Sequence, residues 1–209
     1  MKLQIAVDIA DTARVVAIAD QIHDVIDIVE VGTPVILKEG LAPVRALKAK
    51  YSGLTVLADT KIMDGGAIEA GDACEAGADI ITVLAVSDNA TITEVVTTAH
   101  AHGRKVMADL MCIQDIPARA RELVALGADY VCVHTGTDVQ KLGRTPLKDL
   151  TVLAGAIDPA RACVAGGVKQ ATIGQYTALK PGIIIAGGAL YNAPDIRRAV
   201  IDMKEAMDA

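Results

Sequence analysis

Eight apolar runs of strand length recur along the chain, and their regular beat limits its fold more than any other feature. They are Leu3–Val7, Ile26–Val31, Thr55–Ala58, Ile80–Leu84, Lys105–Ala108, Tyr130–Val133, Ala162–Ala165 and Ile183–Ala186. Each is rich in Val and Ile and apolar throughout rather than alternating, as expected of strands buried on both faces of a parallel sheet. Their starts fall about 25 residues apart, room for a strand of ~5, a helix of ~12 and two short loops. The stretches between them read as helices. Asp11-Thr12 opens the first, which continues through Val15, Val16, Ala19 and Ile22 at helical spacing. The others are placed at 39–50, 65–76, 88–102, 113–126, 146–157, 169–179 and 194–207. Gly77, Gly103 and Gly127 sit where a helix end favours a left-handed residue. The near-copies Ala76-Gly77-Ala78-Asp79 and Leu126-Gly127-Ala128-Asp129 use one helix-to-strand turn twice.

Eight strand–helix units in 209 residues match a (β/α)8 TIM barrel near its minimum size. An open doubly wound sheet is the rival that counting alone leaves standing. No linker or charge block divides the chain, so residues 1–209 read as a single (β/α)8 barrel domain of the α/β class. Composition agrees. With 52% hydrophobic residues but no Phe and no Trp, the core must be built from Val, Ile, Leu and Ala, which suit buried strands and close-packed helices.

A net charge of -6 and only four Tyr as aromatics exclude the basic, ring-bearing surface that nucleic acid requires. No segment approaches the ~18 apolar residues of a membrane span. The N-terminus reaches Asp8 before a signal-peptide core forms. The expectation is a soluble cytoplasmic protein that meets neither nucleic acid nor membrane. Cys74, Cys112, Cys132 and Cys163 are scattered and read as reduced thiols inside the core.

The odd polar residues stand at the strand ends. Asp8 closes the first strand, Glu30 the second, and Asp59 the third with Lys61 beyond it. Asp109 closes the fifth and His134 the sixth. In a barrel these ends converge on one rim, where active sites of this architecture lie. One acid at a strand end is ordinarily a cap, but six ionisable groups at five such ends favour a shared site. In Asp59-Thr60-Lys61-Ile62-Met63-Asp64, extended geometry points Asp59 and Lys61 the same way. Alone, that pair reads best as a salt bridge. With Glu30 on the neighbouring strand, Glu30 and Asp59 become two oxygen ligands for Mg²⁺ or, alternatively, Mn²⁺. His134 suits proton transfer near neutral pH, though a structural His fits the segment nearly as well. Asp109 either touches the site or only orients Lys61.

Gly166-Gly167 and Gly187-Gly188 follow the last two strands. Either pair alone is an ordinary tight turn. Together they stand where this barrel holds phosphate on backbone amides.

With these residues assembled, the chain resembles the 3-hexulose-6-phosphate synthases of the orotidine 5′-monophosphate decarboxylase suprafamily nearly end to end. The carriers are Leu3-Gln4-Ile5-Ala6-Val7-Asp8, Glu30-Val31-Gly32-Thr33-Pro34, the Asp59–Asp64 segment, Val133-His134-Thr135-Gly136, Val164-Ala165-Gly166-Gly167 and Ile185-Ala186-Gly187-Gly188. The resemblance implies a Mg²⁺-dependent, reversible aldol condensation of formaldehyde with D-ribulose 5-phosphate to D-arabino-hex-3-ulose 6-phosphate through an enediolate. Glu30 and Asp59 hold the metal, Lys61 stabilises charge, and His134 shuttles a proton. A Schiff base on Lys61 competes, but a Lys flanked by Asp59 and Asp64 is held protonated. The resemblance also implies a homodimer in which Asp64 reaches the neighbouring site. The related 3-keto-L-gulonate-6-phosphate decarboxylases carry Arg where this chain has Thr137, which favours the synthase. They also tend to carry Arg at Gly188, so backbone amides must hold more of the phosphate here. A non-catalytic sugar-phosphate-binding protein is the third reading, and the intact Glu30, Asp59, Lys61 and His134 set speaks against it.

Overall fold

The computed structural model describes residues 1–9 and 11–208. Eight parallel strands pair in chain order and close on themselves. They are β1 (Lys2–Val7), β2 (Ile28–Val31), β3 (Thr55–Ile62), β4 (Ile80–Leu84), β5 (Lys105–Asp109), β6 (Tyr130–His134), β7 (Ala162–Ala165) and β8 (Ile183–Ala186). The β8–β1 pairing, with Leu3 opposite Ile184, seals the barrel and rules out the open sheet. Helices α1 (Thr12–Ile22), α2 (Thr33–Glu39), α3 (Ala42–Lys50), α4 (Gly66–Glu75), α5 (Asn89–Ala101), α6 (Ile116–Ala125), α7 (Thr137–Gln140), α8 (Leu147–Ala154), α9 (Ile173–Thr177), α10 (Gly188–Tyr191) and α11 (Ile196–Asp208) lie between and after the strands. Among the described residues, no helix is long and apolar enough to cross a membrane.

Two cores hold the barrel. The outer one joins strands to helices through residues such as Ile5, Val29, Val56, Ile81, Val131 and Ile184. The inner one fills the barrel with Ile28, Leu57, Ile80, Met107, Cys163 and Ile183. Each buried Val or Ile contributes about 1.5–3 kcal/mol, so neither core needs Phe or Trp.

The repeated turn has a structural task at the end of the barrel away from the site. Asp79 accepts the amide of Val56 at the start of β3, and Asp129 accepts that of Val106 at the start of β5, both at 2.9 Å. Asp27 does the same for Leu3 of β1 at 2.8 Å. Gly77 and Gly127 precede two of these turns at φ +97° and +99°, as the helix-end reading requires.

Three expectations need correction. The helix placed at 39–50 is α3, which starts later, at Ala42, and a separate helix, α2, precedes it unanticipated. Pro34 and Pro43 stand in their first turns, where proline's missing N–H costs nothing. Gly40, at φ +60°, separates them. Cys112 is exposed in the loop after β5, whereas Cys74, Cys132 and Cys163 are buried; its left-handed backbone, φ +65°, belongs to a turn rather than the core. The third strand does not stop at Ala58 but runs to Ile62, with its ladder to β4 shifted between Ala58 and Ile62.

Candidate active site

A cavity of about 760 Å³ opens at the C-terminal ends of the strands. Asp8, Glu30, Asp59, Lys61, Asp109 and His134 all line it, together with Gly166, Gly167, Gly187 and Gly188. The barrel therefore brings ten of the sequence-selected residues to one place. Asp64 is not among them. It is exposed on the turn between β3 and α4, where its carboxylate accepts the neighbouring Gly65 amide at 2.8 Å.

Acidic and basic side chains alternate along one row of the cavity wall. Lys61 Nζ donates to Asp59 Oδ2 and lies 3.8 Å from Asp109 Oδ2. Asp109 Oδ2 in turn lies 2.8 Å from His134 Nδ1, while its Oδ1 accepts the Met111 amide at 2.9 Å. Asp109 thus lines the cavity and contacts both Lys61 and His134. A carboxylate beside Nδ1 favours the tautomer with its hydrogen there, which makes Nε2 the acceptor nitrogen.

Burial pushes Asp59 upward in pKa, but the Lys61 ammonium and hydrogen bonds from Lys61, Thr33 and Thr82 outweigh it and hold the carboxyl below its ordinary value. Burial pulls Lys61 the other way, yet Asp59 and Asp109 outweigh it and keep the amine protonated. An ammonium so held is a charge stabiliser rather than a nucleophile.

Lys61 does not lie in the extended geometry expected of it. Its φ is +48°, a conformation that costs a side-chain-bearing residue about 1–3 kcal/mol and collects at functional sites. The β3 irregularity carries Lys61 and Asp59 to the same cavity by a bend instead of by strand alternation.

Glu30 is 7% exposed and Asp59 5%. Burial first, and then repulsion from Asp59, push the Glu30 carboxyl well above its ordinary value. Gln4 Nε2 donates to Glu30 Oε2, and Gln4 Oε1 is buried with no hydrogen-bond partner. Two crowded carboxylates beside an orphaned carbonyl oxygen fit a hard divalent cation, which relieves the repulsion and takes oxygen donors. Among the described residues no group of three His, Cys, Asp or Glu is arranged for a metal. Such a cation would need further oxygen donors beyond these side chains.

The glycines have backbone reasons of their own. A Cβ on Gly166, at φ +103°, would stand 2.2 Å from the Thr135 carbonyl oxygen. Gly187 caps α10, whose first amides face no intrahelical acceptor.

Residues 1–203 match the model of the orotidine 5′-phosphate decarboxylase / HUMPS family. The chain belongs to that family. Among curated proteins, it is 41% identical over 209 residues to 3-hexulose-6-phosphate synthase 2 of Staphylococcus saprophyticus, covering 100% of this chain and 98% of the relative. It is 40% identical to 3-hexulose-6-phosphate synthase of Bacillus subtilis, covering 98% of each. The crystal structure of 3-hexulose-6-phosphate synthase from Salmonella typhimurium superposes with a TM-score of 0.95 at 40% identity, covering 99% of this chain and 98% of that one. A 3-keto-L-gulonate-6-phosphate decarboxylase from Vibrio cholerae is 28% identical, with a TM-score of 0.87 over 99% of this chain and 97% of that one.

Within this member of the HUMPS family, sequence reasoning passed over Gln4, Thr33 and Thr82. Thr33 Oγ1 lies 2.8 Å from Asp59 Oδ2, and Thr82 Oγ1 donates to Asp59 Oδ1 at 2.9 Å. Gln4 and Thr82 are lone polar residues inside apolar runs. That anomaly was the available signal, because a buried polar group needs a reason to be there. Gly32 escaped as well. A Cβ there would stand 2.2 Å from Asp8 Oδ1, so only glycine lets the Asp8 carboxylate lie in its place.

Proposed function

We infer that this chain is an aldehyde-lyase that adds D-ribulose 5-phosphate to formaldehyde, reversibly, giving D-arabino-hex-3-ulose 6-phosphate. The observation that carries the reading is the Asp59–Lys61–Asp109–His134 row at the barrel mouth, in a chain about 40% identical over its whole length to proteins named 3-hexulose-6-phosphate synthase. His134 Nε2 takes a proton from C1 of the ketose and leaves an enediolate. The fixed ammonium of Lys61 stabilises the developing charge. The enediolate carbon bonds to formaldehyde, whose oxygen then receives a proton from His134. We propose Glu30 and Asp59 as ligands of Mg²⁺ or Mn²⁺, which when bound supplies further positive charge to the enediolate oxygens. Asp8, pushed up in pKa by burial and then by Asp59, borders the same space. Decarboxylation is disfavoured because Thr137, at the start of α7 and in the cavity wall, places no guanidinium there.

The enediolate step is testable without formaldehyde. In D₂O with Mg²⁺, the enzyme is expected to exchange a C1 proton of ribulose 5-phosphate, read by loss of its proton NMR signal. Turnover with formaldehyde but no such exchange in either direction overturns His134 as the C1 base.

The phosphate is proposed to lie between Gly166-Gly167 and Gly187-Gly188. Lys61 and Lys169 are the lysines of the cavity wall, against the carboxylates of Asp8, Glu30, Asp59, Asp109 and Asp138. Since Lys61 is committed to Asp59, Lys169 is the cation left for a dianion. Lys169→Ala is expected to raise KM for the phosphorylated ketose about tenfold while changing kcat less than about twofold, the pattern of lost uniform binding. An unchanged KM in steady-state kinetics removes Lys169 from the site.

We further propose a cytoplasmic homodimer in which Asp64 completes the partner's site. Asp64 is exposed between Met63, 52% exposed, and Ile68, 74% exposed, an apolar flank suited to a second copy. Asp64→Ala and Asp59→Asn subunits, each inactive alone, are expected to recover about a quarter of wild-type activity when refolded together, since half the random dimers carry one intact site. No recovery, with dimers present by light scattering, contradicts the shared site.

A further inference from the structure

Strand β4 brings no ionisable residue to the rim, yet Thr82 on it is 4% exposed and lines the cavity. From Ala58 to Ile62 strand β3 advances four residues, while β4 advances two, from Ile81 to Val83. A regular ladder fails across that step. The Lys61 amide donates to Thr82 Oγ1 at 2.8 Å. The same hydroxyl donates its hydrogen to Asp59 Oδ1 at 2.9 Å, so its one donor and an acceptor lone pair are used together. One residue back, Thr60 Oγ1 donates to the Thr82 carbonyl at 2.9 Å. Thr82 therefore links the backbone of Lys61 to the side chain of Asp59. Thr33 holds the other Asp59 oxygen, so Thr82 is the residue that couples both partners.

We propose that Thr82 is a positioning residue for the reaction: its hydroxyl holds Lys61 in the left-handed conformation and fixes the Asp59 carboxylate beside it. The ammonium and the carboxylate then meet the reacting end of the substrate in one arrangement. This rests on the roles given to Lys61 and Asp59 above, and the KM expectation below on the phosphate site proposed there.

Thr82→Val keeps the shape and β-branching of the side chain and removes only the hydroxyl. It is expected to lower kcat about 10- to 100-fold, the usual effect of losing a residue that orients a site ligand. KM for ribulose 5-phosphate should stay within about twofold, because the phosphate end lies on β7 and β8 and its binding is untouched. Titration with Mn²⁺ alone, followed by electron paramagnetic resonance, should show binding weakened about tenfold. Thr82→Ser, which restores both hydrogen bonds, is expected to recover kcat to within about threefold of wild type. Circular dichroism and Tm report folding. If Thr82→Val does not fold, Thr82→Ala removes the same hydroxyl and is compared with Thr82→Ser in the same way. Wild-type kcat and Mn²⁺ affinity in the hydroxyl-less variant, even with a lowered Tm, overturn the positioning role. Failure of the function reading looks different: wild type consumes no formaldehyde, while the Mn²⁺ titrations still read the effect of Thr82.

Discussion

Asp59→Asn is expected to lower kcat/KM for formaldehyde addition by about 1,000-fold or more, a loss of about 4 kcal/mol of transition-state stabilisation. The substitution keeps the shape of the side chain and removes its charge. Three partners feel the loss. The Lys61 ammonium loses its direct acceptor, and the Thr33 and Thr82 hydroxyls lose a charged one. Glu30 becomes a lone carboxylate, so a divalent cation has one charged ligand where it had two. The fold should survive, because Lys61 retains Asp109 at 3.8 Å and the strand cores are untouched. A Tm decrease of about 3–6 °C is expected, the shift that a lost interaction of about 1.5 kcal/mol gives in a chain of this size. Far-UV circular dichroism should match wild type. A well-folded Asp59→Asn variant with more than about a tenth of wild-type rate, against the loss expected here, removes Asp59 from the site.

Asp109→Asn tests the other end of the charged row. Its two oxygens accept from two different donors, His134 Nδ1–H and the Met111 amide. An asparagine has one oxygen and cannot serve both. If that oxygen faces Met111, the new NH₂ faces Nδ1 and drives the imidazole hydrogen to Nε2, where it blocks proton abstraction. If it faces His134, the Met111 amide loses its acceptor and the loop after β5 must shift. Lys61 loses a nearby negative charge in either case. A fall in kcat of about 100- to 10,000-fold is expected, the range over which general acid–base groups act. Proton exchange at C1 should fall in parallel, since both report the same imidazole. Exchange at the wild-type rate in Asp109→Asn, with aldol addition impaired, would assign the base elsewhere.

Much of the barrel was legible in the chain because a strand buried on both faces leaves an apolar run that no surface helix imitates. Ile80–Leu84 and Ile183–Ala186 are read with the bounds they have in the structure. The cluster at the rim was legible for a related reason. An ionisable residue directly after such a run, as with Asp8 or His134, stands where burial ends and the rim begins. What stayed hidden depends on neighbouring strands. The left-handed backbone of Lys61 requires the ladder shift against β4 and the hydroxyl of Thr82, and nothing in Asp59-Thr60-Lys61 announces either. Gln4 and Thr82 were hidden by their surroundings, since one polar residue in an apolar run is outvoted by its neighbours. Helix α2 was missed because seven residues between Gly32 and Gly40 are too few for helical periodicity to register. Asp64 stands apart from the cavity of its own chain, and the role proposed for it depends on a second copy.

The most direct measurement is formaldehyde consumption by the purified protein with ribulose 5-phosphate, first with Mg²⁺ and then after EDTA. The account predicts loss of formaldehyde that stops on chelation and resumes when Mg²⁺ is restored. No loss of formaldehyde under any of these conditions, with CO₂ released from 3-keto-L-gulonate 6-phosphate instead, would contradict it.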